Sequence, residues 1–491
     1  MAVKKIKFLI VALLLLVYLF PNTARSQRVL TLEESIQIAE AGSPDIRKSA
    51  LNLESNKMSL VAQRASLKSR FSLDITPFDF SRTRVFNDFF STWNTNEDYS
   101  SFGRLSISQP IPITDGVLSL VDQFGYRDNY SQVQDIRTKT WSNNIYIQFE
   151  QPIFTYNRTK LQLKELELNL ENALLSYALQ LLNLERAVTQ TFYNFYQAQN
   201  SVDISRDEFN NHQLSYEITK NKVEAGLLAE VELYQAELNL ATSRSTVENN
   251  QVNLDNIADD FKLLLGMDLK EDIRVQVDVE YITQNVDINQ AIQHGLDERM
   301  ELRQRQIDIE RSEFELIRTN ALNEFKGSVS LSLGLFGDDS NFTEVYNSPT
   351  NNPRVAVTFS IPLFDWGEKK ARMAATNANL QISRIDEENQ NNDIVINIRK
   401  TYRSLQNLET QIEIAEQNVK NAELTYDINQ ERYRNGDLTS MDLNLFQNQL
   451  SDKKTQLATA LINYKIELLN LKILTLYDFE KQEPVLPKTD L

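Results

Sequence analysis

The stretch that decides the fold begins QPIFTYNRTKLQLKELELNLENALLSYALQLLNLERAVTQTFYNFYQAQN (residues 151–200) and runs on to Leu265. The chain writes it twice. Gln151-Pro152-Ile153-Phe154 returns as Ile361-Pro362-Leu363-Phe364, and Lys222-Val223-Glu224-Ala225-Gly226-Leu227 returns as Arg432-Tyr433-Arg434-Asn435-Gly436-Asp437. Pro152 to Pro362 and Gly226 to Gly436 are both steps of 210 residues, so no net insertion separates these landmarks. A fixed offset of that size marks duplication of a whole structural unit.

Each copy reads as two helices joined at the glycine. In the first arm Leu163, Leu166, Leu170, Leu174, Tyr177, Leu181, Leu184, Val188, Phe195, Ala198 and Val202 fall mostly three or four apart. That spacing is the narrow seam of a coiled coil. The returning arm steps by sevens through Leu233, Leu240, Val247, Leu254 and Phe261. Its twin steps through Leu443, Leu450, Leu457, Tyr464 and Leu471. On the first returning arm Ala236, Ser243 and Asn250 are small or polar, which suits helices lying side by side in a wall. A helix from Asn157 to Val223 would run roughly 100 Å at 1.5 Å per residue, a long rod.

The preamble to each copy has a matching form. Thr31-Leu32-Glu33-Glu34 is a capping box, Gly42 ends that short helix, and Ser43-Pro44 starts another. Asp287-Ile288-Asn289-Gln290 repeats the opening, and Glu301-Leu302-Arg303 matches Asp45-Ile46-Arg47 at an offset of 256. The first half therefore holds 46 extra residues between residues 75 and 152.

Beyond each preamble the period becomes two. Phe71, Leu73 and Ile75 alternate with Ser72, Asp74 and Thr76; Ile145, Ile147 and Phe149 with Tyr146, Gln148 and Glu150. In the second half Val329, Leu331, Leu333 and Leu335 alternate with small residues, as do Val355, Val357, Phe359 and Ile361. Four strands with no second sheet to cover their apolar faces are the pattern of a transmembrane barrel facing lipid. Four cannot close alone, since the smallest such barrels need about eight, so several subunits must share the wall. The aromatic-rich insertion reads as a long outer-end loop with room for one extra hairpin. The segment after Leu476 has no period and reads as loosely ordered.

Composition narrows the classes. Net charge is −17, and losing the four cations of residues 1–26 leaves −21, which argues against nucleic acid. Residues 1–26 combine a lysine-rich start, an apolar run and a small-residue Ala24-Arg25-Ser26 end, the parts of a cleaved signal peptide. After them no apolar run reaches the ~18 residues of a spanning helix. Cysteine is absent, which excludes a disulfide framework and a lipidated N-terminal cysteine. Only 12 glycines and 11 prolines suit long helices, and 41% apolar residues with a mean hydropathy of −0.40 suit walls wetted on both sides. His212 and His294 are the only histidines and lack metal-ligand spacing. No phosphate loop or nucleophile elbow stands out, so neither an enzyme nor a cofactor is expected.

The order of signal peptide, capped helix, strand pair, long helix, glycine turn and returning helix, given twice, resembles the TolC family of outer membrane efflux proteins. The likeness covers nearly all the mature chain. It implies a mainly α fold with a transmembrane β part: a homotrimer in the outer membrane of a Gram-negative bacterium, with four strands per subunit in one twelve-stranded barrel. The coiled-coil hairpins would form a periplasmic α-barrel. The boundaries expected are 1–26 signal peptide, 27–69 equatorial and ascending helices, 70–151 first strand pair with the loop insertion, and 152–265 first hairpin. The second half follows as 266–327 linker and ascending helix, 328–361 second strand pair, 362–475 second hairpin and 476–491 tail.

The resemblance also implies an exit duct for an efflux pump or type I secretion system, joined to an inner-membrane transporter by a periplasmic adaptor (membrane fusion) protein. The adaptor would grip the tips, Ala225-Gly226-Leu227 and Asn435-Gly436-Asp437, whose glycines also supply the left-handed residue ending a helix. The entrance gate and its selectivity fall to Glu232, Tyr433 and Asp442, although Leu438 and Leu445 stand where an arginine and a second acid can occur. Asp74 and Glu150 would charge the barrel lumen. The rival reading is a soluble periplasmic coiled-coil adaptor, which would carry one hairpin between compact β domains.

Overall fold

The computed structural model describes residues 28–89, 91–132, 135–277 and 283–485. The expected signal peptide lies outside the described residues. The chain divides into two compact units: one drawn from Met1–Ala50, Ser176–Met300 and Asn391–Leu491, the other from Leu51–Leu175 and Glu301–Gln390.

In the first unit β1 (Arg28–Leu30) pairs in parallel with β6 (Ile273–Val275). Helix α1 (Leu32–Gly42) begins with the reciprocal bonds of a capping box: Glu34 N–H donates to Thr31 Oγ1 and Thr31 N–H to Glu34 Oε2, both 3.2 Å. Most of the long helix α3 (Arg158–Glu224) lies here, followed by α4 (Glu230–Leu265) and α5 (Ile288–Glu298). So does the later part of α7 (Glu368–Asn435), with α8 (Ser440–Thr475) after it. Leu30, Ala39, Val188, Phe192, Phe195, Phe261 and Leu265 form a shared core. The seam is buried in part: Leu184, Val188, Phe195, Ala198, Val202, Phe261, Leu443, Leu450, Tyr464 and Leu471 are buried, whereas the positions from Leu163 to Leu181 and Leu233, Leu240, Val247, Leu254 and Leu457 are half-buried. Ala236 and Ser243 are buried too, and their small volume lets helices approach closely. Between residues 477 and 485 the chain is not loose as expected; the rest of the tail lies outside the described residues. β10 (Tyr477–Asp478) pairs with β11 (Glu483–Pro484), and the buried Asp478 carboxylate accepts from the N–H groups of Glu480 and Lys481, both at 3.0 Å.

The second unit holds α2 (Pro44–Ser66) from residue 51 on, α6 (Met300–Asn320), the first turns of α3 and α7, and a seven-stranded antiparallel sheet. Its strands are β2 (Arg70–Asn87), β3 (Thr92–Ile111), β4 (Gly116–Ser131), β5 (Ile136–Ile153), β7 (Lys326–Asp339), β8 (Thr350–Asn351) and β9 (Arg354–Ser360). They follow the order β2-β3-β4-β5-β7, with both β8 and β9 on the far side of β7. The expectation of four strands is corrected here. The insertion does form the extra hairpin for which it had room, β3 and β4, but that hairpin stands within the sheet between β2 and β5 and not in an outer loop. The first seven of the twenty residues of β3, Thr92 to Asp98, are polar on both faces apart from Trp93, so they lack the alternation by which a strand is read.

The register sets two faces. Phe71, Ile107, Leu120, Ile147 and Leu333 lie in one row across the sheet, and Leu118, Phe149, Leu331 and Val355 in another. Most of these apolar side chains are left uncovered, Phe71 at 68% exposure and Leu333 at 64%, with Ile107 and Phe149 half-buried. The opposite face carries Ser72, Ser106, Val121, Tyr146 and Gly334 in one row, and Ser108, Ser119, Gln148, Ser332 and Arg354 in the next. Among the described residues no helix is long and apolar enough to cross a membrane.

Candidate functional site

Both glycine turns end a helix in the same way. Gly226 at φ +73° lets its N–H reach Val223 O at 2.9 Å while Leu227 N–H reaches Lys222 O at 2.8 Å. Gly436 at φ +91° repeats this with Tyr433 O at 3.1 Å and Asp437 N–H to Arg432 O at 2.9 Å. This paired bonding satisfies the last carbonyls of each helix and needs a left-handed residue that only glycine adopts without strain. No atom lies within 4 Å of where a Cβ would stand at either glycine. Ala225, Gly226, Leu227, Asn435, Gly436 and Asp437 are all exposed, Leu227 at 73%.

The gate candidates separate. Tyr433 is 2% exposed and lies in a joint between the two hairpins. Its ring packs with Tyr426, Leu443 and Leu450, and Ile218, Leu438 and Phe446 border the cluster. Its hydroxyl donates a short hydrogen bond to the buried Thr219 hydroxyl, which itself donates to Ser215 O at 2.8 Å. Lys222 sits over the Tyr433 ring, 5.3 Å from its centroid, and donates to Tyr433 O at 2.9 Å and Arg434 O at 3.3 Å. A cation on the carbonyls that end α7 favours the negative end of that helix. Asn211 Nδ2 donates to Gln447 Oε1 at 3.1 Å further along the same joint.

Asp442 is exposed in the first turn of α8, where Thr439 accepts its N–H at 3.2 Å and donates to its Oδ2 at 2.7 Å. Glu232 occupies the matching turn of α4, half-buried, after Ala229, which supplies no side-chain cap. Thr219 and Lys222 were absent from the residues expected at the gate. Leu438, where the resemblance allows an arginine, instead borders the tyrosine cluster.

In the strand unit Asp74 stands opposite Arg104 in the β2–β3 register, on the polar face. Arg104 donates to Gln123 Oε1 at 2.9 and 3.1 Å. Glu150 lies on the same face, one of its oxygens taken by Gln148 Nε2 at 2.6 Å. Among the described residues no group of His, Cys, Asp and Glu is disposed to hold a metal.

The model of a protein family described as outer membrane efflux protein matches residues 35–267 and 325–475. No curated protein matches the chain. Among solved structures, the CmeC outer membrane channel of Campylobacter jejuni superposes with a TM-score of 0.70 at 15% identity, over 93% of this chain and 87% of that one. The outer membrane protein VceC of Vibrio cholerae gives 0.66 at 13% identity, covering 93% and 97%. The open state of the Neisseria gonorrhoeae MtrE outer membrane channel gives 0.65 at 11%, covering 94% and 91%. At such identities the likeness is one of fold.

Proposed function

The chain belongs to the outer membrane efflux protein family, and from that premise we propose that three copies form the exit duct of a tripartite efflux pump or type I secretion system. The family makes it a transport channel of the outer membrane and not an enzyme. The observation that carries the fuller reading is the sheet whose apolar rows stay uncovered on one face while serines, Gln and Glu line the other. A soluble protein would bury those rows; a bilayer covers them without further protein. This disfavours a soluble periplasmic adaptor.

In this reading the hairpins extend into the periplasm and offer the exposed turns at Gly226 and Gly436 to an adaptor that leads to an inner-membrane transporter. The Tyr433–Thr219 joint holds the two hairpins of one copy together near the entrance. Asp442 and Glu232, repeated around a narrow mouth, concentrate cations there by field focusing. Cysteines placed at Leu227 and Asp437 and cross-linked in cells test the docking. Capture of a periplasmic adaptor at both positions is the expected result. A chain that stays in the aqueous phase as a compact monomer without detergent overturns the reading.

A further inference from the structure

We infer that the inserted hairpin β3–β4 is wall and not appendage: each copy supplies six adjacent strand positions, so that three copies enclose an eighteen-stranded pore. This rests on the proposal of a three-copy membrane channel and deepens it.

The hairpin is intercalated. β2 bonds to β3, β3 to β4, and β4 to β5, so that among the described residues β2 and β5 meet only through it. Its alternation is in phase with its neighbours except at Asp122, which stands between Leu105 and Ile145 in an apolar row and accepts from Asn143 Nδ2 at 2.7 Å. Leu105 and Ile107 on β3, and Leu118 and Leu120 on β4, join the apolar rows, while Ser106, Ser108 and Ser119 join the polar ones.

It also completes an aromatic belt. Past the apolar rows, Phe80 packs on Tyr99 at 4.7 Å between ring centroids, and Tyr126 on Trp141 at 4.6 Å. Phe124 stacks on Trp141 at 5.8 Å. Tyr99, Phe124 and Tyr126 belong to the hairpin. At the helix end of the rows Phe154, Phe325 and Phe359 form a second cluster. On β5 the belts are twelve residues apart, Trp141 to Ile153, roughly 40 Å along a strand and about 30 Å in height at a tilt near 45°. That matches the hydrocarbon thickness of a bilayer. Beyond the outer belt the strands carry ion pairs, Arg82–Glu97, Arg127–Asp98 and Arg137–Asp128, beside one further aromatic pair, Phe86–Trp93.

The inner turn of the hairpin is tied into the frame. Asp115, at φ +62°, accepts the N–H groups of Arg158 at 3.3 Å and Thr159 at 3.1 Å, and so caps the start of α3. Asn157 Nδ2 donates to Pro112 O at 2.7 Å, and Gln151 Nε2 to Thr114 O at 2.6 Å.

Six strand positions leave two edges that suit each other. The count is even, so β2 leads away from its helix while β9 leads towards its own, and a β2 edge pairs antiparallel with the β9 edge of the next copy. The lengths overlap without being equal: β9 spans the seven residues Arg354–Ser360, and the free edge of β2 runs from Arg70 on to Asn87. Lone edges in lipid are not tolerated, and six strands fall short of the ~8 needed to close, so a further copy is the occupant. Barrel diameter grows roughly linearly with strand number, which makes eighteen strands about half again as wide as the twelve implied by four per copy.

The chain has no cysteine, so single cysteines can carry a fluorophore at Leu105, Leu120, Leu73 or Leu333 in the full-length protein. In vesicles of phospholipid brominated on its acyl chains, probes at Leu105→Cys and Leu120→Cys are expected to lose emission by the same factor as those at Leu73→Cys and Leu333→Cys. Probes at Ser106→Cys and Ser119→Cys should keep theirs. Quenching at 73 and 333 but not at 105 and 120 would put the hairpin outside the wall and overturn the inference alone. No quenching at any of the four would defeat the membrane reading beneath it.

Discussion

Removing the Tyr433 hydroxyl should loosen the joint between the two hairpins by a small, calculable amount. In Tyr433→Phe the Thr219 hydroxyl keeps its own donation to Ser215 O at 2.8 Å, so no buried polar group is orphaned. The cost is then the net worth of one buried hydrogen bond, about 1 kcal/mol, which raises the ratio of parted to joined hairpins about fivefold. Tyr433→Ala also removes a ring that is 2% exposed and its contact with Lys222. Loss of a buried aromatic costs about 3–5 kcal/mol, a change of more than a hundredfold. Spin labels at Leu227→Cys and Asp437→Cys, in assemblies diluted with unlabelled copies, read the separation of the two tips. The parent should give one narrow distance, Phe a minor second population, and Ala a broad distribution. Openings in planar bilayers should rise in the same order. If the Phe and Ala distributions both superimpose on the parent's, Tyr433 does not hold the hairpins together.

In the proposed three-copy channel Asp442→Ala should move the reversal potential in a salt gradient towards zero, because each copy would lose a carboxylate from the mouth while Thr439 still caps α8; an unchanged potential would retire Asp442 as a selectivity residue. Asp115→Ala removes the acceptor of the first two N–H groups of α3, while Asn157 still caps the helix through the Lys160 N–H; at a cost of about 1 kcal/mol, amide exchange at Arg158 and Thr159 should quicken while that at the start of α7, served by Asp365, stays as it was. Glu171 is held below the ordinary carboxylate value of 4.5 by its hydrogen bonds from Arg303. Its contribution to stability is full above pH 4.5 and is lost as pH falls through the lowered value. Glu171→Gln should therefore flatten the loss of thermal stability on the acid side, by a modest amount for a carboxylate that is 41% exposed. An acid limb as steep as the parent's would remove Glu171 from the account.

Features written within one turn or one heptad were legible in the sequence. The capping box at Thr31, the cap at Asp287, the glycine helix ends at Gly226 and Gly436, and the buried seam through Leu443, Leu450 and Leu471 each depend on residues a few positions apart. Tertiary structure alone decided that the insertion lies inside the sheet. The outer half of β3 is polar on both faces apart from Trp93 and Tyr99, and it is held by ladders to β2 and β4 that no local pattern announces. It alone decided that Tyr433 points into a joint: Thr219 is 214 residues away, and only the packing of one repeat on the other brings the two hydroxyls together. Local periodicity fixes which face of an element is apolar, because that depends on spacing along the chain. Which element covers that face, and how many strands stand side by side, depends on pairings across distance that spacing does not encode.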